Sequence, residues 1–284
     1  MKARTAALLS TFLLAISFHA PASAAIPERI TAPACPGYGS YSVTGHVPIN
    51  GINEVSGVVA SRGSSALWIE EDSGNPTTIY AIDGTGAKLA TVQVRDSTNH
   101  DWEDIALADG QIWLGDIGDN AHLRTALQVY WFAEPALSAT SVAAKLLTLT
   151  YDDRVARNAE ALAVDGAHEK LFIFTKAQSG GSLVFRASID GIHSGSSRIL
   201  RHVATLPLNE VTAADLGPIG VIVKSGDGYL YRWTSDHRVL SALAQPPCRA
   251  PAGTGESLAF STDDQGLWAI PEGADPPIYF TPPG

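Results

Sequence analysis

The chain has 284 residues, 45% of them hydrophobic and 17% charged, with a formal net charge of −10. That composition is globular, and the length holds one large all-β domain or two small ones. The acidic balance excludes nucleic acid as an expected partner, because neutralising phosphates needs clustered Lys and Arg, and it favours cations instead.

Met1-Lys2-Ala3-Arg4 is a basic start, Ala6 to Phe18 an apolar run, and Ala22-Ser23-Ala24 a small-residue cleavage site. Residues 1–24 therefore read as a secretory signal, too short to span a membrane. Its removal takes away Lys2 and Arg4 and moves the formal charge from −10 to −12. No Cys stands at the cleavage point and no other apolar run approaches ~18 residues, so neither a lipid anchor nor a membrane partner is expected. The expected product is secreted, periplasmic or extracellular, and monomeric. Residues 25–40 read as an extended lead-in, and 41–284 as one domain.

From residue 54 on, one unit recurs: an acid, a short strand, a turn and a second strand. Glu54-Val-Ser-Gly-Val-Val-Ala leads to LWIEEDSG at 67–74, and Glu103-Asp-Ile-Ala-Leu to IWLGDIGDN at 112–120. Glu160-Ala-Leu-Ala-Val leads to LFIFTK at 171–176, Asp215-Leu-Gly to VIVKSGDG at 221–228, and Glu256-Ser-Leu-Ala-Phe to LWAIPEG at 267–273. The opening acids lie 49, 57, 55 and 41 residues apart. This suits four-stranded propeller blades of ~40–50 residues. Outer strands are expected at 77–83, 89–94, 126–132, 145–151, 182–189, 198–206, 228–234 and 238–244. Most of these runs are β-branched or aromatic and bounded by Gly, Asp, Asn or Pro.

The fold expected is an all-β, five-bladed β-propeller, with six blades as the alternative. The last unit has only three strands, so YSVTGHV at 41–47 is expected to complete it and close the ring. Two cysteines remain, Cys35 and Cys248; one disulfide is the economical reading in an oxidising compartment, and two free thiols the alternative. A bridge would pin the N-terminal strand near the start of the last blade.

In a propeller the first strand of each blade lines the central tunnel. Glu54, Glu103, Glu160, Asp215 and Glu256 are therefore expected to converge at its mouth and to hold one Ca²⁺, since oxygen-only donors favour calcium. The bland alternative is that each acid binds backbone N–H groups of the neighbouring blade. The loops after the second strands add a further layer. Glu71, Asp72, Asn120, Arg124, Lys176 and Lys224 are candidate ligand-binding residues for a small molecule or protein partner. His100, Asp116 and Asp119 are candidate catalytic residues. GDIGDN also reads as a turn that needs Gly and Asn, with Asp making local backbone contacts. Trp68, Trp102, Trp113 and Trp268 are expected to pack between blades.

The chain has no G-x-S-x-G elbow, H-E-x-x-H, C-x-x-C or P-loop, which leaves serine-hydrolase and zinc-protease readings without support. The combination of EVSG…LWIEEDSGN, DWEDIAL, IWLGDIGDN and GESLAF resembles a family of secreted bacterial β-propeller proteins, most strongly over 52–135. In architecture the units opening at Glu54, Glu103, Glu160 and Glu256 are similar in kind to those of calcium-activated nucleotidases (apyrases). That resemblance implies five blades and a Ca²⁺ in the central tunnel. Calcium-dependent lactonases and phytases are also propellers with axial calcium. The leading expectation is a secreted calcium-binding propeller whose acidic face takes a ligand or partner. The alternatives are a Ca²⁺-dependent hydrolase of phosphoester, phosphoanhydride or lactone bonds, and a propeller whose acids only brace the blades.

Overall fold

The computed structural model describes residues 32–48, 52–234 and 239–283. The expected signal at 1–24 and the first part of the lead-in lie outside them.

Strand β1 (Ser42–His46) comes first. Next come β2 (Val55–Ala60), β3 (Leu67–Glu71), β4 (Thr78–Ile82) and β5 (Lys88–Arg95). Then follow β6 (Trp102–Ala108), β7 (Gln111–Asp116), β8 (Leu127–Ala133), the short β9 (Ser141–Ala143) and β10 (Lys145–Tyr151). The third run is β11 (Ala159–Asp165), β12 (Lys170–Thr175), β13 (Ser182–Ser188) and β14 (Ser196–Leu206). The fourth is β15 (Val211–Gly217), β16 (Gly220–Ser225), β17 (Tyr229–Thr234), a one-turn helix α1 (Val239–Leu243) and β18 (Cys248–Pro251). The chain ends with β19 (Ala259–Phe260), β20 (Leu267–Ala269) and β21 (Pro277–Thr281).

Within each run the strands pair antiparallel in order, except that β8 pairs with β10 and leaves out β9. The first three runs are stitched at their outer edges by parallel pairing. The eleven-residue β14 pairs with β13 through Arg201–Leu206 and with β10 through Ser196–Leu200, while β9 pairs with β5. The first strands touch in the cyclic order β2, β6, β11, β15, β19 and back to β2, which gives the sheets a propeller-like arrangement.

Position in the sheet explains the sequence pattern. Strands β2, β3, β11 and β16 are buried along their whole length, so they read as largely apolar segments without alternation, broken only by buried polar groups such as Glu70, Glu160 and Lys224. Strand β5 lies toward the outside and alternates exposed with buried residues. Apolar clusters fill the wedges between successive sheets. Trp68, Trp102 and Tyr130 sit in one wedge, and the stacked pair Trp113 and Trp131, 5.6 Å apart, in the next. The tryptophans thus pack where the sequence reading puts them.

Strand β1 completes the C-terminal sheet by pairing antiparallel with β21, Ser42 opposite Phe280 and His46 opposite Pro277. Cys35 and Cys248 form the disulfide. The lead-in from residue 32 is not loose: Cys35 N donates to Arg249 O and Arg249 N to Pro33 O, each at 2.9 Å.

One expected strand is a helix. Residues 238–244 read as β from their Val and Leu content, yet 239–243 form α1, which buries Val239 and Ala242 at i, i+3 spacing against β14, β16 and β17. The outer place in that sheet goes to β18, which carries the disulfide.

Cys35 and Cys248 are 213 residues apart, so the bridge removes a large loop-closure entropy from the unfolded chain. Replacing both with Ser is expected to lower stability by about 2–5 kcal/mol in denaturant unfolding. An unchanged midpoint would show that the strand pairings alone hold the ends together.

Candidate metal centre

The site begins with a backbone irregularity. In the ladders between first and second strands, pairing skips one residue: Ser56 in β2, Glu103 in β6, Glu160 in β11 and Thr212 in β15. Each skip is a β-bulge, which bends the strand and re-aims the extra residue's side chain. Two of the four bulge residues are glutamates. Glu256, just ahead of the short β19, joins them.

Glu103, Glu160 and Glu256 each offer an oxygen within 4.8 Å of the others. Asp72, Asp101 and Glu103 form a second group by the same measure, so Glu103 belongs to both. Glu103 is 3% exposed. Its carbonyl accepts Ser56 Oγ at 2.9 Å, but no described residue donates a hydrogen bond to its carboxylate. Burial first, then repulsion from Glu160, Asp72 and Asp101, pushes its pKa far above the carboxylate range. Glu160 is also raised, chiefly by burial, although Lys176 and Asn158 oppose the shift.

Lys176 is the one positive side chain that meets the cluster among the described residues. Its Nζ lies 2.6 Å from Glu160 Oε2, as an ion pair without hydrogen-bond alignment, and 3.1 Å from Glu256 Oε1. Burial lowers its pKa, but Glu160 and Glu256 raise it further, so it stays charged. Asn158 Nδ2 donates to Glu160 Oε1 and to Asn120 Oδ1, both at 3.0 Å. Asn158 Oδ1 accepts Asp119 N at 2.7 Å. Sequence reasoning passed over Asn158, and noted Asp101 only as an acid ahead of its strand without giving it a ligand role; both stand two residues before a bulge glutamate, a spacing the repeat alignment contains.

Of the five acids expected at the tunnel mouth, the structure does not bring Glu54 or Asp215 into the cluster. Glu54 is exposed and accepts Asn75 Nδ2 at 2.8 Å. Asp215 lies three residues beyond the bulge of its strand, deep in the tunnel, and accepts Phe260 N at 2.9 Å and Leu216 N at 2.7 Å. Asp104 does the same across three sheets, accepting Ile105 N at 2.9 Å, Leu162 N at 2.8 Å and Ala214 N at 3.3 Å. Asp215 and Asp104 therefore follow the bland alternative, and Glu103, Glu160 and Glu256 do not.

The second layer also divides. Asp72 joins the cluster. Glu71 is buried and accepts Asn53 N at 3.1 Å. Asp116 is fully buried; it accepts His100 N and Asp101 N and pairs with Arg124 Nη1 at 2.8 Å. Arg124 also binds Gly118 O and Asp116 O, and Asp119 accepts Leu123 N and Arg124 N at 2.8 Å each. Asp116, Asp119 and Arg124 are thus committed to shaping the GDIGDN loop. That loop closes over the acids: a Cβ on Gly118 would lie 2.0 Å from Glu103 Oε1 and 2.4 Å from Asp101 Oδ2. His100 is exposed, with only its backbone N bonded to the loop. Beside Lys176 and Glu256 opens a cavity of about 530 Å³, with Glu210, Thr212 and Glu272 in its wall. Burial, then Glu256, raises Glu272 to about 6.

Lys224 is not at the surface. It is 1% exposed, and among the described residues its Nζ reaches only Ala252 O and Thr254 O, at 3.4 and 3.3 Å. Burial pulls its pKa down to about 7, against a smaller upward push from Glu256.

No protein-family model matches this chain, and no curated protein matches it either. Solved structures do. A gluconolactonase from Xanthomonas campestris aligns over 93% of this chain and 99% of its own, with a TM-score of 0.50 and 15% identity. A luciferin-regenerating enzyme aligns over 86% and 95% of the two chains, with a TM-score of 0.48 and 11% identity. The WD40 repeats of RRP9 cover 89% and 99%, with a TM-score of 0.43 and 12% identity. At 15% identity the likeness to the gluconolactonase is one of fold.

Lys224 gives a pH test. Its folded pKa, about 7, lies below the value near 10.5 in the unfolded chain. Between those values the unfolded state holds a proton that the folded state lacks, so this group's contribution to stability rises with pH across the window. Lys224→Met is expected to be most stabilising below pH 7 and to lose that advantage, on the order of 4 kcal/mol, by pH 10. Denaturant unfolding of both proteins across this range measures it; a pH-independent difference would contradict a neutral buried amine.

Proposed function

We propose that this chain is a secreted, five-bladed β-propeller that binds a divalent cation, Ca²⁺ by preference, in the acidic cluster around Glu103, and that takes a ligand or partner on the same face. The supporting observation is Glu103 itself. Glu103 is a residue 3% exposed whose carboxylate receives no hydrogen bond from a described residue, and it lies among four further acids. Such a group either carries a proton or faces a cation. The donors are all oxygens, which suits a hard ion of flexible geometry. The cyclic contact of the first strands supports five blades. The disulfide fits an oxidising compartment, and no helix among the described residues is long and apolar enough to cross a membrane.

A second reading, a Ca²⁺-dependent hydrolase, is favoured by the 530 Å³ cavity beside Glu256, whose wall holds both the Lys176 ammonium and the Glu272 carboxyl. In this reading the acids around Glu103 would hold the cation, which would supply Lewis-acid polarisation of a substrate oxygen, and Glu272, rather than the loop-bound Asp116, would take the proton of a water. The fold-level likeness to a gluconolactonase makes lactones the first substrates to screen, ahead of phosphoesters and phosphoanhydrides.

The test is the melting temperature in excess EDTA and then in added Ca²⁺. A ligand bound only by the folded state adds about 2.7 kcal/mol at a hundredfold excess over Kd. A clear rise that Glu103→Gln abolishes is expected. No shift in the wild type, with no metal in the purified protein, would leave the acids as scaffold. Metal binding without turnover on the substrate panel would remove the hydrolase reading alone.

A further inference from the structure

We propose that one divalent cation binds off the axis, on Asp72, Asp101 and Glu103, while the Lys176 ammonium serves as a built-in cation for Glu103, Glu160 and Glu256. This rests on the cation-binding reading above and specifies where the ion sits. The two carboxylate groups share Glu103 but differ in what compensates them. In one, Lys176 Nζ already lies 2.6 Å from Glu160 and 3.1 Å from Glu256. In the other, no ammonium or guanidinium of a described residue is bonded to a carboxylate. The guanidinium whose field reaches Asp101 is that of Arg124, and it is bonded to Asp116 and to the carbonyls of Asp116 and Gly118.

Asp72, Asp101 and Glu103 nonetheless have a built shape. Ser73 donates its backbone N–H to Asp72, which fixes that carboxylate and leaves lone pairs free. Asn99 Nδ2 ties the carbonyls of Glu71 and Asp72, at 3.0 and 2.8 Å, to the neighbouring sheet. Gly118 covers Glu103 and Asp101 at a distance no side chain would permit. Into this space points the carboxylate of Glu103, a residue only 3% exposed, to which no described residue donates a hydrogen bond. A divalent ion placed beside Lys176 would meet an ammonium already seated. Placed on Asp72 and Asp101 it meets no seated cation, and Glu103 belongs to both carboxylate groups.

Isothermal titration of metal-free protein with Ca²⁺ tests this, with circular dichroism checking that each variant is folded. The wild type is expected to take one ion. Asp101→Asn should weaken binding by about tenfold or more, and Glu256→Gln by less than about threefold. Removing the ammonium, by Lys176→Met and separately by the less disruptive Lys176→Gln, should open a second site, so that two ions bind. If Glu256→Gln abolishes binding and Asp101→Asn does not, the ion is axial and the placement is overturned while the cation-binding reading stands. Two ions in the wild type, or one ion still in both Lys176 variants, would overturn the role given to Lys176. No ion in any form would overturn the cation-binding reading itself.

Discussion

Glu103 and Asp104 are consecutive residues with opposite environments, because a β-bulge sits at the first of them. Past the bulge, Asp104 turns into the tunnel and accepts N–H groups from its own strand and from two other first strands. At the bulge, Glu103 leaves the ladder and enters a space already occupied by other carboxylates. The same displacement at Glu160 brings it to the same place from the next sheet. The fold depends on the buried acids that bind backbone, and the site depends on those the bulges withhold from it.

Charge then limits what the site can be. Two carboxylates 4.8 Å apart repel by about 3–4 kcal/mol at an effective dielectric of 20. The cluster holds several such pairs and one lysine. Protons relieve that repulsion at low pH, and a cation relieves it at neutral pH without giving up the carboxylates as ligands. The second strands handle buried charge differently. Glu70 lies opposite Gly57 and Lys224 opposite Ala213, at matching ladder positions one residue past a bulge. The small residue across the ladder leaves room for a long side chain to fold inward. At Gly57 the fit is close: a Cβ would come within 2.6 Å of Glu70 Oε1.

Much of the fold was legible in the sequence. The inner strands announce themselves by apolar runs bounded by turn residues. The short last unit and the two cysteines point to closure by the N-terminal strand, which β1 and the disulfide provide. The helix at 239–243 was not legible, because Val and Leu favour strands and one helical turn is too short to show a period. The site was half legible. Aligning the units on their nearest acid placed Asp215 with the glutamates, whereas alignment on the bulge puts Thr212 there and leaves Asp215 deeper. The same alignment pairs Asp101 with Asn158, two residues before Glu103 and Glu160. Lys176 looked like a loop lysine awaiting an anion, since nothing in the sequence shows that two glutamates from other parts of the chain face it. Arg124, Asp116 and Asp119 looked available for chemistry for the same reason; they bond to one another and to their own loop.

The most direct measurement is a crystal structure of the protein grown in saturating Ca²⁺, with anomalous difference density calculated at the acidic cluster. The account predicts a peak within about 2.3–2.6 Å of a Glu103 carboxylate oxygen, the range of calcium–oxygen bonds. A Glu103 that meets only water, or that turns to Lys176 with no ion nearby, would contradict it.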